Sequence, residues 1–365
     1  MISISLCMIV KNEEQSLARC LNSVASIADE IVIVDTGSTD RTKEIAASFG
    51  AVIYDFAWRD DFGAARNFAF SKATQEYILW LDADDELEEV DRIKFKELKH
   101  TLDPSVDSVS MNYHLAFDEA GNVTSSLRRN RLVKRSRGFK WEGLVHEALL
   151  VHGQTYAADI AITHKKDKVY TDRNLRIYRK REAEDDSFSP RDLFYFANEL
   201  KDHAYFDEAI AYYNRFLATD QGWIEDVYAS CLRLGECYAA LGDTHRMLQS
   251  YLRALIYDKP RAEMCCRVGA YFLERNRLEQ AVFWYETAAQ ATMPEGNMGP
   301  IDHAAWTWLP HLQLCVCYDR LGQHHLAFEH NEKAYALNPS HPSMQYNRNY
   351  FAKKFKLEKL ELNET

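Results

Sequence analysis

Along the opening part of the chain, apolar residues fall alternately at strand and at helix spacing. Residues 2–10 read as one apolar run of strand length, and residues 13–28 place Leu17, Cys20, Leu21 and Val24 on one helix face. A second apolar run, 31–34, ends on Asp35. There Thr36-Gly37-Ser38-Thr39 offers a tight turn and ready caps for a helix over 40–49. Residues 52–54 predict a third strand, 63–73 a third helix and 77–81 a further strand. Fully apolar strands alternating with helices imply a mainly parallel, Rossmann-like sheet covered on both faces. From about Asp107 to Thr163 the pattern shortens, as in 109–113 and 144–151, and predicts a mixed or antiparallel far side of that sheet. The charged stretch 165–186, with a helix over 174–181, reads as a bridge.

Beyond Pro190 the periodicity is helical throughout and repeats. Gly235 recurs as Gly269, Tyr238 as Phe272, Leu248 as Val282 and Tyr251 as Tyr285, at the roughly 34-residue period of a tetratricopeptide repeat. Residues 207–213 mark an earlier unit and 321–328 a later one, while 293–302 is a Pro- and Gly-bearing insertion expected to lengthen a loop. The expected division is an α/β domain over 1–188 and an all-α repeat domain over 189–365. Four stacked helix pairs would present a concave face suited to an extended chain or a second copy, so a peptide and self-association into a homodimer are both expected partners.

Composition narrows the function. A chain of 365 residues exceeds a single core, and its net charge of -11 without a concentrated basic face argues against nucleic acid. No apolar run reaches the roughly 18 residues of a membrane span, and the N-terminus reads as a first strand rather than a signal peptide. The eight cysteines sit mostly in apolar helical contexts, as reduced thiols of a cytoplasmic protein would.

The candidate chemistry is acidic. Tyr77-Ile78-Leu79-Trp80-Leu81 runs into Asp82-Ala83-Asp84-Asp85-Glu86, and carboxylates that close resist ionising together unless a counter-charge joins them. In open α/β sheets ligands bind beyond the carboxyl ends of the strands, where Asp35 and the acid cluster both fall. A nucleotide at one end and a metal-bound diphosphate at the other would fit, since magnesium or manganese is held by a carboxylate or two plus phosphates. Asp85 and Glu86 are expected to begin a surface segment. Leu87 stands where a calcium-binding loop needs glycine, and Asp85-Glu86 replaces the small residues that follow the nucleophile in dehalogenase-type phosphatases.

Four stretches in order carry a family resemblance: Cys7-Met8-Ile9-Val10-Lys11-Asn12-Glu13-Glu14, Val34-Asp35-Thr36-Gly37-Ser38-Thr39-Asp40, Asp61-Phe62-Gly63-Ala64-Ala65-Arg66-Asn67 and Leu81-Asp82-Ala83-Asp84. With Trp141-Glu142-Gly143-Leu144-Val145-His146-Glu147 and Ile162-Thr163-His164, the chain resembles glycosyltransferase family 2, of GT-A fold. It is similar to bacterial members with C-terminal tetratricopeptide repeats, which include the peptide S-glycosyltransferases of glycosylated bacteriocins.

The resemblance implies an inverting transfer from a nucleotide sugar, expected to be a UDP-sugar, with Mn2+ or Mg2+ as cofactor. It places Met8, Val10, Asn12, Glu13 and Asp35 around the nucleoside, and Arg66, Asp82, Ala83 and Arg131 along the diphosphate and sugar. Asp84 and His164 would hold the metal, Glu147 would act as base, and His146 would stand beside it. Arg128, Arg129 and Arg131 form a basic cluster of a kind that neutralises a leaving diphosphate. Trp58 and Trp141 are candidates to stack on sugars. The acceptor is a peptide cysteine or serine, or a glycan hydroxyl, and a vestigial, non-catalytic scaffold is the alternative from another class.

Overall fold

A computed structural model describes residues 1–165, 171–184 and 187–363. They form two compact units, one of residues 1–117 and 125–187, the other of 118–124 and 188–365.

In the first unit, β1 (Ile4–Val10), β2 (Glu30–Asp35), β3 (Val52–Asp55) and β4 (Tyr77–Trp80) pair in parallel, with β1 between β2 and β4. β1 alternates inside the sheet. Ile4, Leu6, Met8 and Val10 join the core under α1 (Leu17–Val24) and α4 (Glu89–Thr101), while Cys7 and Ile9 join the opposite core, with Ala69 of α3 (Phe62–Lys72). Helix α2 (Thr42–Ser48) follows the turn after β2. The doubly covered parallel half matches the apolar pattern.

The sheet runs on through β7 (Val123–Lys134), antiparallel to β4, then β6 (Ser108–Phe117), β10 (Thr155–His164) and the short β5 (Asp85–Glu86). This mixed far side is as expected. β8 (Lys140–Glu142) and β9 (Ala148–Leu150) form a separate hairpin around the segment that carries Glu147. The pairing of β5 with β10 positions the site: it is antiparallel, with Asp85 opposite His164 and Glu86 opposite Thr163. A histidine eighty residues downstream is thereby set beside the acid cluster.

The charged stretch includes α5 (Arg173–Ala183); of the rest of the expected bridge, 166–170 and 185–186 lie outside the described residues.

The second unit stacks α6 (Pro190–Asp202) on α7 (Phe206–Leu217), α8 (Ile224–Ala240) on α9 (Thr244–Arg253) and α10 (Ala262–Glu274) on α11 (Leu278–Gln290). After the short α12 (His303–Trp306) come α13 (Leu309–Arg320) on α14 (His324–Leu337), and α15 (Pro342–Asn363). The repeated glycines have one cause. A Cβ on Gly235 would stand 2.2 Å from the ring of Tyr251, and one on Gly269 would stand 2.9 Å from that of Tyr285. Each pair packs an aromatic ring onto bare backbone.

The insertion is more than a longer loop. Gly299 packs against Glu225 of α8, and in α12, which follows it, the Trp306 indole N–H donates to Glu263 of α10. Arg267, one turn after Glu263 and on the same face of α10, is about 200° around the helix from Gly269 and so away from α11. Arg267 joins Glu236 of α8 at 2.9 Å, and Glu236 joins Lys201 of α6 at 3.0 Å. Successive first helices are thus tied by charge as well as by packing.

Candidate active site

The acid cluster alternates like a strand. Leu81, Ala83, Asp85 and Leu87 are buried, while Asp82, Asp84 and Glu86 are partly open. Asp85 is therefore inside, which corrects the expectation that it begins a surface segment. Its Oδ2 lies 3.0 Å from Arg131 Nη1 and accepts the backbone N–H of Asp82 at 3.0 Å; its Oδ1 accepts the Tyr113 hydroxyl at 2.8 Å. Arg131 is itself fully buried, its guanidinium 4.0 Å from the ring of Trp80 and 4.3 Å from that of Tyr113. It cannot reach a diphosphate in the cleft, contrary to the expectation. Arg128 is turned away as well, donating to Asn112 Oδ1 at 2.7 Å and the Ala158 carbonyl at 2.9 Å where β10 breaks register. The expected basic cluster is therefore not one surface. Part of the missing counter-charge is Arg131.

Arg66 supplies the rest. Its Nη2 donates to Asp82 Oδ1 at 2.7 Å and its Nε to Glu147 Oε1 at 2.5 Å, and its guanidinium lies within 5 Å of the rings of Trp80 and Trp141. Burial pushes the Asp82 carboxyl up, but Arg66, helped by Arg131, outweighs it and holds Asp82 down at about 2. The α3 motif builds this clamp residue by residue. Asp61 caps the helix by accepting the Ala64 N–H at 2.8 Å. Phe62 N–H donates to the Leu144 carbonyl at 2.8 Å, and a Cβ on Gly63 would stand 2.6 Å from the Gly143 oxygen. Asn67 exchanges two 2.9 Å hydrogen bonds with the Trp141 backbone, as a neighbouring strand would. Gly143 and His146 take positive φ angles of 100° and 52°, which fold the 143–147 loop back over α3. The side chains of Trp141 and Arg66 are engaged in this packing, so Trp141 serves as a wall of the clamp.

Asp84 and His164 form a separate pair. Asp84 Oδ1 lies 3.5 Å from His164 Nδ1, which is 3.7 Å from Asp85 Oδ1, too far for a good hydrogen bond. That buried ring nitrogen has no hydrogen-bond partner. Burial, with help from Asp82 and Asp85 and against the pull of His164, raises the Asp84 carboxyl to about 6. The neighbouring carboxylates raise His164, Asp85 foremost, against its burial. An oxygen and an unpartnered imidazole nitrogen converging on one point fit a divalent cation, whose adjacent ligands stand roughly 3 Å apart. Asp85 completes a three-residue group within 4.8 Å, yet its charge is already matched by Arg131.

Asp35, fully buried at the end of β2, accepts the amides of Gly37 and Ser38 on Oδ1 at 3.0 and 2.9 Å; its Oδ2 has no partner. Asn12, at φ 54°, joins this turn: its N–H donates to Ser38 Oγ at 2.9 Å and its Oδ1 accepts the Thr39 N–H at 2.8 Å. Glu13 receives the Ser16 hydroxyl at 2.6 Å at the entry to α1. A cleft of about 500 Å³ runs from Thr36, next to Asp35, to Asp84 and His164. Val10, Asn12, Glu13, Arg66, Asp82, Ala83, Asp84 and His164 line it. Met8 and Asp35 do not: the alternation of β1 sends the Met8 side chain into the core, and Asp35 is fully buried, so its neighbour Thr36 lines the cleft in its place.

Residues 5–148 match the profile of glycosyl transferase family 2, and residues 228–259 that of a tetratricopeptide repeat. The chain carries a family 2 glycosyltransferase domain. A TPR repeat-containing protein of Synechococcus elongatus is 40% identical over 147 residues, which cover 40% of this chain and 35% of that one. The prophage-derived glycosyltransferase SunS of Bacillus subtilis is 28% identical over 219 residues, 56% of this chain and 51% of SunS. The chain thus spans between a third and about half of these relatives. Among solved structures, TarS residues 1–349 of S. aureus align at 15% identity with a TM-score of 0.41, covering 69% of this chain and 91% of that one.

The glycosyltransferase match stops at residue 148, and beyond it the cleft walls were hardest to foresee. Thr171, Arg173 and Asn174 line the cleft, although the charged stretch read only as a bridge. Phe62, Trp58 and Lys11 also line it. Trp58 packs edge-on to Phe62 at 4.7 Å and donates its indole N–H to Asp60 at 2.9 Å. Aromatic character was the one signal available for Trp58 and Phe62; for Arg173, separated by about ninety residues from the acid cluster, there was none.

Proposed function

We propose that the transferase domain moves a sugar from a nucleoside-diphosphate sugar, with UDP as the expected nucleotide, to a nucleophilic side chain of a peptide, with inversion at the anomeric carbon. The observation that carries this reading is the pairing, in one cleft, of Asp84 with the unpartnered Nδ1 of His164. The nucleoside end is assigned to the wall formed by Val10, Asn12, Glu13 and Thr36, behind which Asp35 is buried with its Oδ2 unpartnered. A cleft of about 500 Å³ is within the usual range for a ligand of that size.

Asp84 and His164 would hold Mn2+ or Mg2+, which when bound supplies Lewis-acid stabilisation of the departing diphosphate. Asp82, kept ionised by Arg66, faces the sugar and can accept its hydroxyl hydrogens. Glu147 is the proposed base. Since Arg66 holds its Oε1, the acceptor must approach within hydrogen-bond reach of a carboxylate already fixed in orientation. His146, next in the same loop, would border the acceptor. A cysteine acceptor relaxes the demand on Glu147, because a thiolate is intrinsically strong as a nucleophile. The eight buried, unpaired cysteines accord with a reducing compartment such as the cytoplasm.

The test is a panel of nucleotide sugars assayed for hydrolysis and, by mass spectrometry, for transfer to cysteine- and serine-bearing peptides. Wild type should act on one donor, and Asp84→Ala should lose activity by at least about a hundredfold. Full activity in that variant would overturn the assignment.

A further inference from the structure

We propose that Tyr113 is a positioning residue for the cation site: its hydroxyl holds Asp85 off His164, so that Nδ1 of His164 stays open to a metal. The inference rests on the reading of Asp84 and His164 as metal ligands given above.

Four successive strands of the sheet, β7, β6, β10 and β5, bring Arg131, Tyr113, His164 and Asp85 together. In the parallel pairing of β6 with β10, Tyr113 lies opposite Ile162, two residues before His164. The phenol ring stands 5.7 Å from the imidazole and 4.3 Å from the Arg131 guanidinium, and its hydroxyl reaches past β10 to donate to Asp85 Oδ1 at 2.8 Å. A donor on a short side chain could not bridge two strand spacings of about 4.8 Å each.

The availability of Nδ1 depends on which donor holds Asp85 Oδ1. The other oxygen, Oδ2, already meets Arg131 and the Asp82 N–H. Asp84 Oδ1 and Asp85 Oδ1 lie 3.5 and 3.7 Å from the same nitrogen, His164 Nδ1. A hydrogen bond from that nitrogen to Asp85 requires a proton on it, and a protonated nitrogen has no lone pair for a metal. A carboxylate behind a ligating histidine usually takes the imidazole's other nitrogen, whereas Asp85 faces the ligating one. The Tyr113 hydroxyl, a donor at neutral pH because a phenol ionises near about pH 10, occupies Oδ1 instead. Without it Oδ1 would be a buried acceptor lacking a partner, and the His164 ring nitrogen is a donor 3.7 Å away.

Tyr113→Phe removes the hydroxyl and keeps the ring against Arg131 and His164, so the fold should persist. Calorimetry on the full chain then compares Mn2+ titrated in the presence of UDP with UDP titrated in EDTA. Tyr113→Phe should weaken Mn2+ by about ten- to a hundredfold, the effect of losing a residue that orients a metal ligand, and should leave UDP without metal within about twofold of wild type. Unchanged or tighter Mn2+ binding in the variant overturns this inference alone. The first follows if the unpartnered Nε or Nη2 of Arg131 takes over Oδ1, and the second if Asp85 itself becomes a ligand. An equal loss of Mn2+ and UDP, the mark of a loosened fold, overturns it as well. A wild-type protein that binds no Mn2+ overturns the metal reading and this inference with it.

Discussion

Three neighbouring aspartates meet three different fates, set by the direction each side chain takes. Asp82 is held ionised by Arg66, Asp85 is buried against Arg131, and Asp84 meets a histidine with an unpartnered nitrogen. Removing one partner of the sealed pair leaves a buried charge unmatched, so Arg131→Met should cost about 3–5 kcal/mol in chemical denaturation. A loss below about 1 kcal/mol would mean the pair is not enclosed as described. Asp84 behaves differently, because its carboxyl is raised to about 6. Between its ordinary value near 4 and 6, the folded chain holds a proton that the unfolded chain has released, so this group's contribution to stability falls as pH rises through that window. A cation that needs the ionised form should reverse the trend. Mn2+ should therefore raise Tm more at pH 7.5 than at pH 5, and an equal or opposite shift would count against Asp84 as a ligand.

At the scale of elements, α3 acts as a template for the loop that carries Glu147. Gly63 lets the Gly143 carbonyl approach, Asn67 imitates a strand toward Trp141, and Arg66 fixes Glu147. Gly63→Ala should push the loop away, costing about 1–3 kcal/mol by overpacking. It should also lower kcat more than it changes donor KM; unaltered kcat would show that the loop does not set the chemistry. The element order, the parallel half of the sheet and the 34-residue repeat were legible in the sequence because each is a local periodicity. Asp85 was misread although its signal was present: Leu81, Ala83, Asp85 and Leu87 alternate, and burial follows period two even for a charge when an arginine waits inside. Arg131 and Arg128 were misread because adjacency in sequence says little about direction along a strand. The placement of His164 beside the acids follows from the β5–β10 register, which no local pattern encodes.

At the scale of the molecule, a transferase domain with a cleft at its strand ends accompanies a stack of helical repeats whose insertion packs onto α8 and whose α12 bonds to α10. For the proposed transfer, that cleft must hold a cation together with a nucleoside diphosphate. Electron paramagnetic resonance of Mn2+ reads this without requiring an acceptor, since the signal of the free hydrated ion disappears on binding. With UDP present, wild type should remove about one equivalent of that signal, while Asp84→Ala and His164→Ala should leave most of it. Retention of the free signal by wild type, or undiminished binding by both variants, would contradict the proposed site.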